Sequence, residues 1–366
     1  MRDNHPEPVA QEIKKNSLDH IGGMVDHLFL TLPKILKPAL PIRKIDIAKY
    51  EQEIDYYYNK GVMENPAALF QLTSDLPDYR LISSHSFHEG YRDLYAFNSG
   101  FTPLNPLVRE RYGRHGANQE AFFVRWRHGE KPRKTVICLH GYLLGEPDQA
   151  ERMFSIAKLF DKGLDVVLFV SPFHWRRAPR NRLQRGIFLQ PDDVVFTAEA
   201  VSQTMTDLNT TLTVLFHLGV TAAGLVGASM GGYNASLFSC LSDRIAFAAM
   251  IVPAVDYSKP FGPRSVKYPF PVSERLMEKM TALWRLHSPL NFHPKIDKKA
   301  LIFIASKGDK LCPSEHIREI IEKWDGPRAH FLTGGHWLIF NNRKRGRLWY
   351  SFLEEMGFLD SDIVPR

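Results

Sequence analysis

From residue 133 onward the apolar positions fall in short, nearly unbroken runs, at 135–139, 166–170, 223–227, 245–252, 300–305 and 329–332, with Thr135 and His330 the polar exceptions. Between them lie longer stretches with helical spacing. Runs without alternation predict strands covered on both faces, and strands that alternate with helices predict a mostly parallel central sheet flanked by helices, an α/β architecture. Ahead of this block, residues 80–87, 92–97 and 120–127 are rich in aromatic and branched residues and are separated by glycine, proline and asparagine. They predict antiparallel strands at the sheet edge. Helical spacing also appears near 10–30 and 44–60, the latter through Ile45, Ile47, Tyr50, Ile54 and Tyr57. The division implied is an N-terminal helical extension over 1–75 and an α/β domain over 76–366. Two intervals, about 171–191 and 255–297, are too long for simple connections and read as insertions over the sheet. In the second, Leu276, Met277, Met280, Leu283 and Trp284 share a helical face, the mark of ordinary packing.

Composition adds exclusions. With 366 residues, 44% hydrophobic and 24% charged, the chain has the make-up of a globular protein with a sizeable core. Cys138, Cys240 and Cys312 have no CxxC or Cys/His spacing, which supports neither a disulfide framework nor a structural zinc site and fits a reducing, cytoplasmic setting. The first residues are polar and carry acids, unlike a secretory signal. No apolar run reaches the length of a membrane span, and the apolar-rich stretch 27–40 is interrupted by Pro33, Lys34, Lys37 and Pro38, leaving peripheral membrane contact as the only membrane role to weigh.

The net charge of +7 is local. Arg176, Arg177, Arg180, Arg182 and Arg185 form one run, and Arg343, Lys344, Arg345 and Arg347 a second. Without those nine the chain has 38 basic against 40 acidic residues, which argues against general nucleic-acid binding.

The candidate chemistry centres on Gly227, Ala228, Ser229, Met230, Gly231 and Gly232, between an apolar strand and a helical pattern. A serine lifted above a sheet needs a tight strand-to-helix turn, and small residues two before and two after it let the backbone close. Such a serine sits at a helix N-terminus, where amide donors favour developing negative charge. The plain alternative is a helix cap. The same run lacks GxGxxG and GxxxxGK[ST], so dinucleotide and P-loop readings fail, and no HExxH pairing supports a metal site. No cofactor and no metal are expected.

Over residues 115–358 the chain resembles the α/β-hydrolase superfamily, whose nucleophile turn reads GxSxG and whose triad runs serine, acid, histidine. The resemblance implies Ser229 as nucleophile, Asp309 beyond the strand at 300–305 as the acid, and His336 on a glycine-loosened loop as the base. Asp256, beyond the preceding strand, is the alternative acid. His330 inside a strand and His316 on an exposed helix face are the rival histidines. His140, Gly141 and Tyr142 resemble the family's oxyanion loop, which assigns the backbone amides of Tyr142 and Met230 to the oxyanion and leaves His140 to shape the loop.

The expected activity is cleavage of a carboxylic ester through a covalent acyl-enzyme, with a small-molecule ester, lipid or anionic among the candidates, as substrate. Arg176, Arg177 and Tyr257 are candidate substrate contacts, although an arginine run is more often a solvated face. The same machinery serves acyltransferases, thioesterases and peptidases, and a retired hydrolase fold can serve as a binding scaffold. The oligomeric state is open.

Overall fold

The computed structural model describes residues 14–36, 46–129, 131, 133–180, 188–257, 262–265, 268 and 271–359. Nine strands form one sheet in the order β1-β2-β3-β5-β4-β6-β7-β8-β9. The strands β1 (Tyr79–Phe87), β2 (Gly90–Asn98) and β3 (Glu120–Arg127) form an antiparallel meander that joins β5 (Asp165–Phe169) in antiparallel register. From there β5, β4 (Thr135–Leu139), β6 (Ala223–Ala228), β7 (Ala248–Ile251), β8 (Leu301–Ser306) and β9 (Arg328–Leu332) run parallel. Each predicted strand is present within a few residues of its expected place.

Both faces of the sheet are buried, which is why its strands carry no polar alternation. Ile137 and Leu139 of β4 face one core with α2 (Ile47–Asn59), α6 (Val194–His217), α7 (Met230–Leu241), α8 (Glu274–Leu286) and α9 (Ser314–Lys323). Val136 and Cys138 face the other with α4 (Pro147–Phe154), α5 (Ile156–Asp161) and α10 (Asn342–Glu355). Among the described residues the other α-helices are α1 (Ser17–Leu36) and the short α3 (Arg109–Gly113). In α8, Leu276, Met280, Leu283 and Trp284 are buried while Met277 is half-buried, the packing face expected.

Helix α6 is buried along nearly its whole length, polar residues included. Burying those groups without partners would be costly, and the chain supplies the partners from elements far away in sequence. Glu199, Gln203 and Asp207, four residues apart on one stripe, take hydrogen bonds from Tyr57 Oη, Tyr112 Oη and Ser99 Oγ at 2.6, 2.7 and 2.5 Å. Ser202 and Thr206 donate to the carbonyls of Leu69 and Gln71. Asn209 donates to that of Thr73. The segment before β1 is thereby fastened through its backbone carbonyls to side chains of α6.

The arginine run is corrected by its surroundings. Arg177 is fully buried, donating to Asp207 Oδ2 at 2.6 Å and to the carbonyls of Asn118 and Val170 at 3.0 and 3.1 Å. Arg176 stacks over the rings of Trp175 and Phe122. Arg177 is thus enclosed by protein rather than open to a substrate, while Arg176 is exposed. Arg182, Arg185, Ile45 and residues 37–40 lie outside the described residues. Because removing one partner of a buried pair strands the other charge, Arg177→Met should cost about 3–5 kcal/mol of stability in urea unfolding. A change below about 1 kcal/mol would mean the pair is not an internal strut.

Candidate active site

The turn after β6 is set by close approaches. A Cβ on Gly227 would stand 2.1 Å from the Gly231 carbonyl oxygen, and one on Gly231 would stand 1.8 Å from that of Leu139. Only glycine fits at either place. Between them Ser229 has φ 56° and ψ −114°, a strained conformation for a residue with a side chain. It is held there by hydrogen bonds from its amide to Ile251 O and from the Ala254 and Tyr233 amides to its carbonyl. Helix α7 begins at the next residue, so the Met230 amide belongs to the first turn, whose N–H groups have no intrahelical acceptor.

The acid and the imidazole come from the loops after β8 and β9. Asp309 is 3% exposed and His336 8%. Asp309 Oδ1 accepts from the Leu311 and Cys312 amides at 2.8 and 2.7 Å, which turns Oδ2 toward His336 Nδ1, 2.7 Å away. Burial alone would depress the imidazole, but the Asp309 carboxylate, together with the Cys312 side chain, outweighs it and holds His336 well above the ordinary histidine range. The carboxylate therefore fixes both the orientation of the ring and its charge.

Cys312 is the neighbour that sequence reasoning missed. Its Sγ lies within 4.8 Å of ligand-type atoms of both Asp309 and His336, it lines one cavity with Ser229, and burial pushes the thiol pKa up, so it is a neutral group beside the imidazole. The available signal was its place three residues after the acid, on the same turn. Asp309, Cys312 and His336 also bring ligand-type atoms within 4.8 Å of one another, but both oxygens of the carboxylate are already engaged by two amides and the imidazole.

Ser229, Met230, Tyr142, Tyr257, Asp256 and Cys312 line a cavity of about 200 Å³ whose remaining walls are largely aliphatic and proline side chains. Gly141 packs beside Ser229, which brings the 140–142 loop to the serine. His140 is buried, accepts from the Ser171 amide, and is pushed down to about 4 by burial, a neutral brace for that loop. Tyr257 is 5% exposed and its hydroxyl has no hydrogen-bond partner among the described residues. Asp256 lies 3.6 Å from Arg285 Nε rather than on His336, so the acid joined to the imidazole is Asp309. His330 lies within β9, where burial pushes it down to about 4. His316 is half-buried and lines the cavity, closer to the site than an exposed helix face implies.

Comparison with known proteins agrees with this architecture. Residues 116–268 match the family model described as alpha/beta hydrolase domain containing 18. The uncharacterized protein MT2702 of Mycobacterium tuberculosis (strain CDC 1551 / Oshkosh) is 27% identical over 95% of this chain and 89% of its own length. Among solved structures, the acetyl xylan esterase from Paenibacillus sp. R4 superposes with a TM-score of 0.51 at 14% identity, covering 89% of this chain and 99% of that one. Acetyl xylan esterase 1 from Thermoanaerobacterium sp. JW/SL YS485 gives 0.51 at 15%, covering 89% and 98%. At such identities the likeness is one of fold.

Proposed function

Because the chain belongs to the α/β-hydrolase superfamily, we propose that it is a serine hydrolase of neutral carboxylic esters, with Ser229, His336 and Asp309 as its triad. The observation that carries the reading is the buried Asp309–His336 hydrogen bond, joined through neighbouring Cys312 to an apolar cavity that a strained Ser229 lines. His336 removes the Ser229 proton as Oγ attacks the acyl carbon, and the amides of Met230 and Tyr142 receive the negative oxygen. The imidazolium, stabilised by Asp309, then protonates the departing alkoxide. Water repeats the sequence on the acyl-enzyme and frees the acid.

The cavity supports the substrate class. No lysine or arginine is among its described lining residues, and Asp256 puts a carboxylate at its wall. An apolar acyl chain gains by entering, whereas an anionic one loses hydration and meets like charge. Among p-nitrophenyl esters, kcat/KM should be highest for uncharged short to medium acyl groups and at least about 10-fold lower for a carboxylate-bearing acyl group of the same length. A preference for the anionic ester would overturn this choice of substrate.

A further inference from the structure

Over residues 17–27 helix α1 is packed inside out. Asp19, Gly22, Gly23 and Asp26, at the i, i+3, i+4, i+7 spacing of one helical face, are buried, while Leu18, Ile21 and Met24 are 43, 46 and 71% exposed. Burial of apolar side chains therefore does not explain how this part of the helix is placed. Its inward face is held by hydrogen bonds to the two loops that carry Asp309 and His336.

Asp26 Oδ1 accepts from the His336 amide at 2.9 Å and the Trp337 amide at 3.2 Å. Its Oδ2 accepts from His336 N at 2.8 Å and from Lys310 N, next to Asp309, at 3.1 Å. One carboxylate thus ties the two loops together. Asp19 Oδ1 accepts from Gly334 N at 2.8 Å. Contact is at backbone distance: a Cβ on Gly22 would stand 2.1 Å from Gly335 N, and one on Gly308 would stand 2.0 Å from the Asp19 carbonyl oxygen. Burial, with the nearby Asp309 charge adding to it, holds the Asp26 carboxyl above its usual range despite the amide donors. A buried acid is a poor way to gain stability alone, but it is directional, and its direction here is toward the histidine backbone.

We infer that α1 is a strap across the catalytic loops and that Asp26 is a positioning residue, setting His336 against Asp309 through their backbones. The inference rests on the serine, histidine and acid roles proposed above. Asp26→Asn turns one acceptor into a donor facing amide N–H groups, and Gly22→Ala wedges the helix away from the 334–337 loop by an independent route. Displacements of about 1 Å at such a site cost on the order of 10²-fold. Both variants should lower kcat per active site by about that factor at nearly unchanged KM. Active sites are counted by titration with a fluorophosphonate, and Met24→Ala, on the exposed face, should match the unaltered protein.

The second readout needs no activity: the far-downfield proton resonance of the Asp309–His336 hydrogen bond should shift or broaden in both variants while the melting transition stays cooperative. If Asp26→Asn does not fold, Asp19→Asn, which weakens one loop contact, carries the same measurements. Unchanged turnover per titrated serine with an unmoved resonance would overturn the strap. An unaltered protein that neither cleaves esters nor reacts with the fluorophosphonate would instead strike the hydrolase reading, and the resonance would still report on Asp26.

Discussion

Ser229→Ala is expected to lower ester turnover by about 10⁶-fold, because nucleophile and base act as one unit and their removal leaves only oxyanion contacts and binding. The fold should survive. Ser229 is N-terminal to α7 but makes no side-chain cap hydrogen bond, so its hydroxyl is not needed to start the helix. What holds the turn is the backbone: the Ile251 and Ala254 contacts and the glycines on either side, all kept by alanine. Turnover by a folded alanine variant within about 10-fold of the starting protein would remove Ser229 from the mechanism. The neighbouring Cys312 thiol would then be the first nucleophile to examine.

Asp309→Asn should cost about 10⁴-fold near neutral pH, since an amide at that position cannot stabilise the imidazolium and favours the wrong tautomer. Its counterpart Asp256→Asn, on a carboxylate that faces Arg285, should leave kcat within a few-fold. The pH profile separates the two further. A protonated His336 cannot accept the serine proton, so activity falls as pH drops through its pKa. With that pKa raised, the acid limb of kcat/KM should lie above the ordinary histidine value of about 6.5.

Removing the Asp309 charge takes away the main group that opposes burial, and the limb of the residual activity should move down. Stability runs the other way. A histidine whose folded-state pKa is raised contributes fully below its unfolded value, and that contribution fades as pH rises through the folded one. The pair should therefore stabilise the protein most where it is least active. An acid limb unmoved by Asp309→Asn would deny the carboxylate its role.

The fold was legible because burial on both faces leaves a direct imprint. Runs such as 135–139 and 301–306 must be apolar throughout when cores lie on either side. The serine turn was legible for a similar reason: the approaches at Gly227 and Gly231 admit one residue type, and the sequence has to declare it. Where β7 is shorter than the apolar run 245–252, Val252 turns to φ 39° and leaves the strand ahead of Pro253.

What could not be read depends on partners distant in sequence. Arg177 looks like its neighbours in a solvated run until Asp207, thirty residues on, is seen to meet it in the interior. The acids of α1 draw no notice in the sequence because nothing nearby shows that amides 310 residues away need their oxygens. Cys312 forms no metal or disulfide spacing motif, and its place three residues after Asp309 gains meaning only once Asp309 is known as the acid. Hydrophobic order is written locally. The polar contacts that place the site are written in pairs across the chain.

The central claim is that Ser229 is a nucleophile activated by the Asp309–His336 pair. Its most direct test is to incubate the intact protein with a fluorophosphonate and locate the adduct by peptide mass spectrometry. The expected result is a single adduct on Ser229, formed with an acid limb that follows His336, strongly slowed by Asp309→Asn and absent in Ser229→Ala. A folded protein that carries no adduct, or carries it on another residue at the same rate in Ser229→Ala, would contradict the claim.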